Sequence, residues 1–275
     1  MRYTRILCGN SADPTILSEN GKFYMTISSL RSSPGLILYE SADLLDWNPV
    51  NAMLRGGISD GWAPELCKIG QRYFVYFPSG GTNYVIWSDD LYGNWSDPVC
   101  IGAEGLIDPG YVRDVQTGQN WLFFNAGYAA PLSDDGLSLT GAPRIVYPVW
   151  QYPHDWETEG MCCESPKLFY RNGFYHLTLA QGGTAGPPTS HMAVMLRSKR
   201  LDGGWEPSPY NPVLHTYDAH DRWWSVGHAT PFETPDGWKF VLHAYERGHY
   251  NEGRQILLCN CLLYTSDAAD DLIGV

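Results

Sequence analysis

Long apolar runs are absent from this chain of 275 residues: nothing reaches the roughly 18 consecutive apolar residues that a membrane-spanning helix needs. Clusters of Lys and Arg are absent as well. With 18 basic residues against 30 acidic ones the formal charge is −12, which argues against a nucleic-acid groove or an anionic membrane surface as a partner. No Cys-x-x-Cys pair occurs. The seven cysteines (Cys8, Cys67, Cys100, Cys162, Cys163, Cys259 and Cys261) are an odd number, so neither a zinc ribbon nor a complete disulfide framework follows. Buried free thiols in a reducing compartment are the expectation. The stretch Met1 to Asn10 lacks the apolar core of a secretory signal, so the sequence reads as cytoplasmic. Amphipathic segments longer than two helical turns are missing. Charged residues make up only 17% against 44% hydrophobic, a balance that excludes a disordered chain.

Flat side chains and turn formers are plentiful: 11 Trp, 18 Tyr and 9 Phe stand with 29 Gly and 19 Pro, a mix that suits short strands joined by tight turns. They are arranged in a repeat. Each unit has a polar residue beside Pro and an apolar strand, then a Gly-aromatic strand, then Ser-x-x-Leu leading to Trp. The units start at Asp13-Pro14, Ala63-Pro64-Glu65, Asp108-Pro109, Glu164-Ser165-Pro166 and His228-Ala229-Thr230-Pro231. Their recurring serines, Ser41, Ser88, Ser133 and Ser198, lie 47, 45 and 65 residues apart. Strand units with a period of about 40–50 residues are the signature of propeller blades. The expected fold is therefore all-β, a five-bladed β-propeller. From about Leu262 the repeat stops. Residues 1–261 are read as the propeller and 262–275 as a non-native tail, which leaves the last blade without its outer part and with an open sheet edge.

The first strand of each propeller blade lines the central channel, so residues at those strand starts converge on one end of the axis. Three of the five starts carry an acid next to Pro: Asp13, Asp108 and Glu164. Any one of them reads equally well as an ordinary turn starter. Three in register on a repeat do not. Acids that converge without basic partners repel one another, so at least one should hold its proton near neutral pH while another stays charged. That pairing is what acid–base hydrolysis of a glycosidic bond needs. Trp62, Phe124, Trp150, Trp223 and Trp224 offer flat apolar faces for sugar rings. The Gly- and Pro-rich segment from Gln181 to His191 follows a blade-four strand and is placed at the channel mouth, making His191 a candidate substrate contact. No dense Asp/Asn/Gly loop marks a dedicated calcium site.

Six short motifs in order, Ala12-Asp13-Pro14, Trp62-Ala63-Pro64-Glu65, Ile107-Asp108-Pro109, Glu164-Ser165-Pro166, Gly227-His228 and Gly253-Arg254-Gln255, resemble glycoside hydrolase family 43 over about residues 8 to 258. That family of five-bladed propeller glycosidases comprises β-xylosidases, α-L-arabinofuranosidases and arabinanases. The resemblance implies hydrolysis with inversion of an oligosaccharide or aryl glycoside. Asp13 would be the general base activating water, Glu164 the general acid, and Asp108 the residue that orients Glu164 and modulates its pKa. It makes Trp62 a platform for the terminal sugar, brings Arg254 to the pocket, and sets His228 on the channel axis, touching water or a structural calcium ion beneath the substrate. No cofactor is required for the chemistry. Members usually carry Gly where Ser165 stands, and their last blade continues past Arg254 into further strands. Two other readings stay open: a non-catalytic sugar-binding propeller, and a retaining enzyme of the fructan-cleaving type with Asp13 as nucleophile.

Overall fold

Alternating side chains along one strand serve two different interfaces, and this builds the molecule. In the strand Arg72–Ser79, Phe74 and Tyr76 pack one way with Leu122 and Leu132, while Val75 and Phe77 pack the other way with Leu38 and Met53. Successive strand residues point to opposite faces, so a sheet apolar on both faces must be sandwiched between two others. Five such sheets satisfy each other only by closing into a ring. The computed structural model describes residues 2–58 and 60–260, and among these the strands form five antiparallel sheets. The innermost strands, Thr15–Glu19, Glu65–Ile69, Gly110–Arg113, Cys163–Arg171 and Trp223–Thr234, contact one another in that circular order around the axis. Five separate hydrophobic clusters fill the five interfaces between blades. This is a five-bladed β-propeller. Among the described residues helix is confined to two single 3₁₀ turns, Asn125–Gly127 and Tyr250–Glu252.

The repeated Ser-x-x-Leu has a structural reason. Ser41 Oγ accepts the Leu44 N–H at 2.9 Å, and Ser88 Oγ and Ser198 Oγ donate to loop carbonyls of Asn94 and Gly203. Leu44, Leu91 and Leu201 are thereby driven into the interfaces between blades. No helix of the described residues is long and apolar enough to cross a membrane.

The expectation of a short last blade is corrected. The fifth sheet has four strands in the order Trp223–Thr234, Gly237–Glu246, Arg254–Asn260, Thr4–Leu7. The N-terminal strand supplies the outermost position, pairing Thr4 with Leu258 and Arg5 with Leu257. The sequence hides this because a four-residue edge strand has no repeat signal of its own. The tail expected from residue 262 onward lies outside the described residues.

Candidate active site

Every blade carries the same local turn on its innermost strand, just before it in blades one to three and within it in blades four and five. The residues Asp13, Ala63, Asp108, Ser165 and His228 all have positive φ, at 58°, 33°, 56°, 54° and 51°. A left-handed residue other than glycine is strained, and five at equivalent positions mark a shared local geometry at the channel mouth. The pattern also refines the register of the acids. Asp13 and Asp108 occupy the left-handed position itself, whereas Glu164 stands one residue earlier, level with Trp62 of blade two. The three acids are not equivalent, because Glu164 projects from a different point of the turn.

Cross-blade hydrogen bonds hold the strained residues. Ser28 Oγ donates to Asp13 Oδ2 at 2.5 Å and accepts the Ala63 N–H at 2.7 Å, joining blades one and two. The Ser165 N–H donates to Asp108 Oδ2 at 3.0 Å, so Asp108 fixes the peptide next to Glu164 across blades three and four. The Asp13 N–H donates to Nδ1 of His243 at 3.1 Å. That lone pair is thereby used, which leaves the proton of the neutral ring on Nε2, facing His191 Nδ1 at 3.3 Å.

Asp13 sits under three basic groups. Arg254 Nη1 donates to its Oδ1 at 3.0 Å, and Nδ1 of His228 and of His243 approach the same oxygen at 3.4 and 3.3 Å. Burial alone would raise the Asp13 carboxyl, but His228 and then Arg254 outweigh it and hold it well below the ordinary aspartate range. Burial also keeps His228 and His191 well below the ordinary histidine range and takes His243 to about 4. At neutral pH these rings are therefore uncharged, and the fixed charge beside Asp13 is the Arg254 guanidinium. Glu164 moves the opposite way. Burial first, and then the negative charge of Asp13, raises it from 4.5 to about 7. Asp108 is pushed well above its ordinary value by burial, then by the charges of Glu164 and Asp13. One acid is thus kept ionised, and the other two resist ionisation beside it.

The other residues singled out from the sequence separate into two groups. Trp62 is 45% exposed, with its indole N–H on Asp60 Oδ1, and Arg254 is partly exposed beside Asp13. His191 is fully buried with Nδ1 facing His243, and His228 is buried with Nδ1 3.4 Å from Asp13 Oδ1, so neither ring presents an open surface. A Cβ on Gly227 would lie 2.7 Å from the His191 ring, so that ring is packed against backbone and against His243. The segment 181–191 is tied down by the Ser225 N–H on Pro188 O and by the His215 ring on Thr189 O. Phe124 and Trp223 are core side chains packed between blades. Ser28, His243, Glu65 and Lys167 were not reached from the sequence.

Asp13, His228 and His243 are the one group among the described residues whose donor atoms approach closely enough to share a metal ion. They do not fit calcium. Ca²⁺ takes about 6–8 oxygen ligands, and here a single carboxylate oxygen, already bound to Arg254, stands with two imidazoles, one of whose lone pairs takes the Asp13 N–H. Nε2 of His228 is buried with no hydrogen-bond partner, but it is a single nitrogen on a ring that feels the positive charge of Lys167.

A five-bladed ring that gathers an ionised and a protonated carboxyl group at one end of its axis defines a propeller with an acid–base carboxylate site. The profile of glycosyl hydrolases family 43 matches residues 4–263, and the chain belongs to that family. It is 28% identical to a xylan 1,3-beta-xylosidase of Vibrio sp over 286 residues, covering 92% of this chain and 51% of that protein. It is 30% identical to a non-reducing end alpha-L-arabinofuranosidase of Bacteroides ovatus over 258 residues, covering 84% of this chain and 45% of the relative. The crystal structure of a family 43 protein from Bacillus licheniformis superposes with a TM-score of 0.83 at 25% identity, over 97% of this chain and 55% of that one. The chain spans about half the length of these relatives.

Proposed function

We propose that this propeller is an inverting glycosidase that cleaves β-xylosidic or α-L-arabinofuranosidic bonds in hemicellulose-derived oligosaccharides. The observation that carries the reading is the opposite displacement of two carboxyl groups at one site, Asp13 downward and Glu164 upward to about 7. Between those values Glu164 holds a proton for the leaving oxygen, and Asp13 is charged and ready to receive one from water. Asp13 is a weak base at so low a pKa. Its part is to orient the water and to balance the positive charge that develops on the sugar ring, while accepting the proton late. Arg254 keeps Asp13 ionised, and Asp108 holds the peptide at Ser165 so that Glu164 is aimed. Trp62, at the same turn position on blade two as Glu164 on blade four, offers an exposed ring face for the terminal sugar. The names of the relatives, a xylosidase and an arabinofuranosidase, support these two substrate classes.

The test is hydrolysis of a chromogenic aryl β-D-xyloside and an aryl α-L-arabinofuranoside, with the first-formed anomer read by proton NMR. Inverted product from either substrate agrees with the proposal. Retained configuration assigns Asp13 as a nucleophile, and binding without turnover makes the propeller a lectin-like module.

A further inference from the structure

Two residues beyond each left-handed strand start lies a second ring of positions: Thr15, Glu65, Gly110, Lys167 and Thr230. It contains one acid and one base, and the two meet. Lys167 Nζ donates to Glu65 Oε2 at 2.6 Å and to the Pro64 carbonyl at 3.3 Å. The same carboxylate accepts Thr15 Oγ1 from blade one at 3.3 Å on Oε2 and the Tyr111 N–H from blade three at 3.2 Å on Oε1. Glu65 belongs to blade two and Lys167 to blade four, so one ion pair links the innermost strands of four blades. Thr230 Oγ1 adds the fifth by donating to the Pro14 carbonyl at 2.7 Å. The approach is tight: a Cβ on Gly110 would lie 1.8 Å from the Pro166 carbonyl oxygen, so only glycine lets the inner strands of blades three and four come this close. Both charged side chains are almost wholly buried, at 4% and 11% exposure, beneath Asp108 and His228, which both sense the Lys167 charge.

We propose that the Glu65–Lys167 pair closes the propeller axis in place of a divalent cation, so that this protein folds and holds its site without calcium. An axial cation in a ring of inner strands gathers oxygen ligands from several blades at once. Here an ammonium does so, with a carboxylate as its hub. A divalent ion added beside it would face two fixed positive charges, Lys167 and Arg254, with both oxygens of Glu65 already bonded. Burial disfavours a second cation here, because at this depth solvent cannot offset its charge and the carboxylate of Glu65 is already taken by Lys167, Thr15 and Tyr111.

The test is thermal unfolding of the full chain in EDTA and in millimolar CaCl₂, together with mass-spectrometric metal analysis of the purified protein. The expected result is one Tm in both buffers and calcium well below one ion per chain. Lys167→Met, which strands the Glu65 carboxylate, should lose a Tm on the order of 10 °C. The double variant Glu65→Gln/Lys167→Met, of similar volume and without buried charge, should recover at least half of that loss and remain insensitive to EDTA. A Tm of the unmodified protein that falls in EDTA and returns with CaCl₂ would overturn the proposal, as would Lys167→Met unfolding within about 2 °C of the parent. Should Lys167→Met fail to fold, the double variant and the EDTA comparison on the parent still decide the question.

Discussion

Glu164→Gln removes the raised carboxyl while keeping its size and an uncharged hydrogen-bonding head, and its effect on stability should depend on pH in a way that the structure dictates. The folded-state value is about 7 against an ordinary 4.5. A carboxyl raised on folding binds its proton more tightly in the folded state than in the unfolded one. Its contribution is therefore harmless below 4.5, and stability is lost progressively as pH rises toward 7, with the full penalty present above it. The difference of roughly 2.5 pH units, at about 1.36 kcal/mol each, comes to on the order of 3 kcal/mol. Glutamine does not titrate. The variant should thus match the parent near pH 4 and exceed it by about 3 kcal/mol at pH 8, a Tm gap of about 6–10 °C. Calorimetric scans of both proteins across that range measure the gap directly. A gap that stays flat with pH, or that widens toward acid, would refute the assignment of the raised pKa to Glu164 and with it the identity of the proton donor.

Glu164→Ala should slow substrates with poor leaving groups by about 10²–10⁴-fold and activated aryl glycosides far less, whereas Asp13→Ala should damage both classes, as steady-state kcat values with paired substrates will show. Arg254→Met removes the charge that keeps Asp13 ionised and that also tempers Glu164, so both limbs of the kcat/KM pH profile should move to higher pH. Ser165→Gly relieves a left-handed residue whose buried hydroxyl has no partner, and urea unfolding should show a gain of about 1 kcal/mol with activity retained. Trp62→Ala should raise KM more than it lowers kcat, since its exposed ring can stack on a sugar but reaches no reacting bond.

The ring of blades and the acids at its mouth were legible because both rest on repetition. A unit that returns five times exposes its period, and Asp13, Asp108 and Glu164 stand beside prolines at points the period makes comparable. The one-residue offset of Glu164 was hidden because an acid beside Pro and an acid two before Pro look alike until the left-handed residue is located. His243 escaped notice since it lies on the second strand of blade five, where no repeat motif marks the channel side. His191 misled for a related reason: its Gly- and Pro-rich segment reads as a surface loop, yet Gly227 opens a slot beneath it that the ring fills. Glu65 was visible as a letter inside one quoted motif and Lys167 directly after another. Only their equal distance from the strand starts, once the starts are aligned, shows that they share a level of the channel.

The junction between Thr4–Leu7 and Arg254–Asn260 makes the active site a property of the closed ring rather than of any blade. Arg254, the charge that Asp13 depends on, sits on the strand that the N-terminal strand covers, and the Ser11 N–H donates to its carbonyl oxygen at 2.8 Å. Residues some 240 positions apart must therefore meet before the base acquires its partner, a contact order that makes closure a slow event in folding. A partly closed ring would keep four blades, much of its core and three acids in place, yet Asp13 would lack its guanidinium and the edge of blade five would lie bare. Removing residues 1–7 should then cost activity well before secondary structure, with the acid limb of the pH profile displaced as it is in Arg254→Met. Unchanged turnover in that shortened chain would show that the clasp is ornamental to the chemistry.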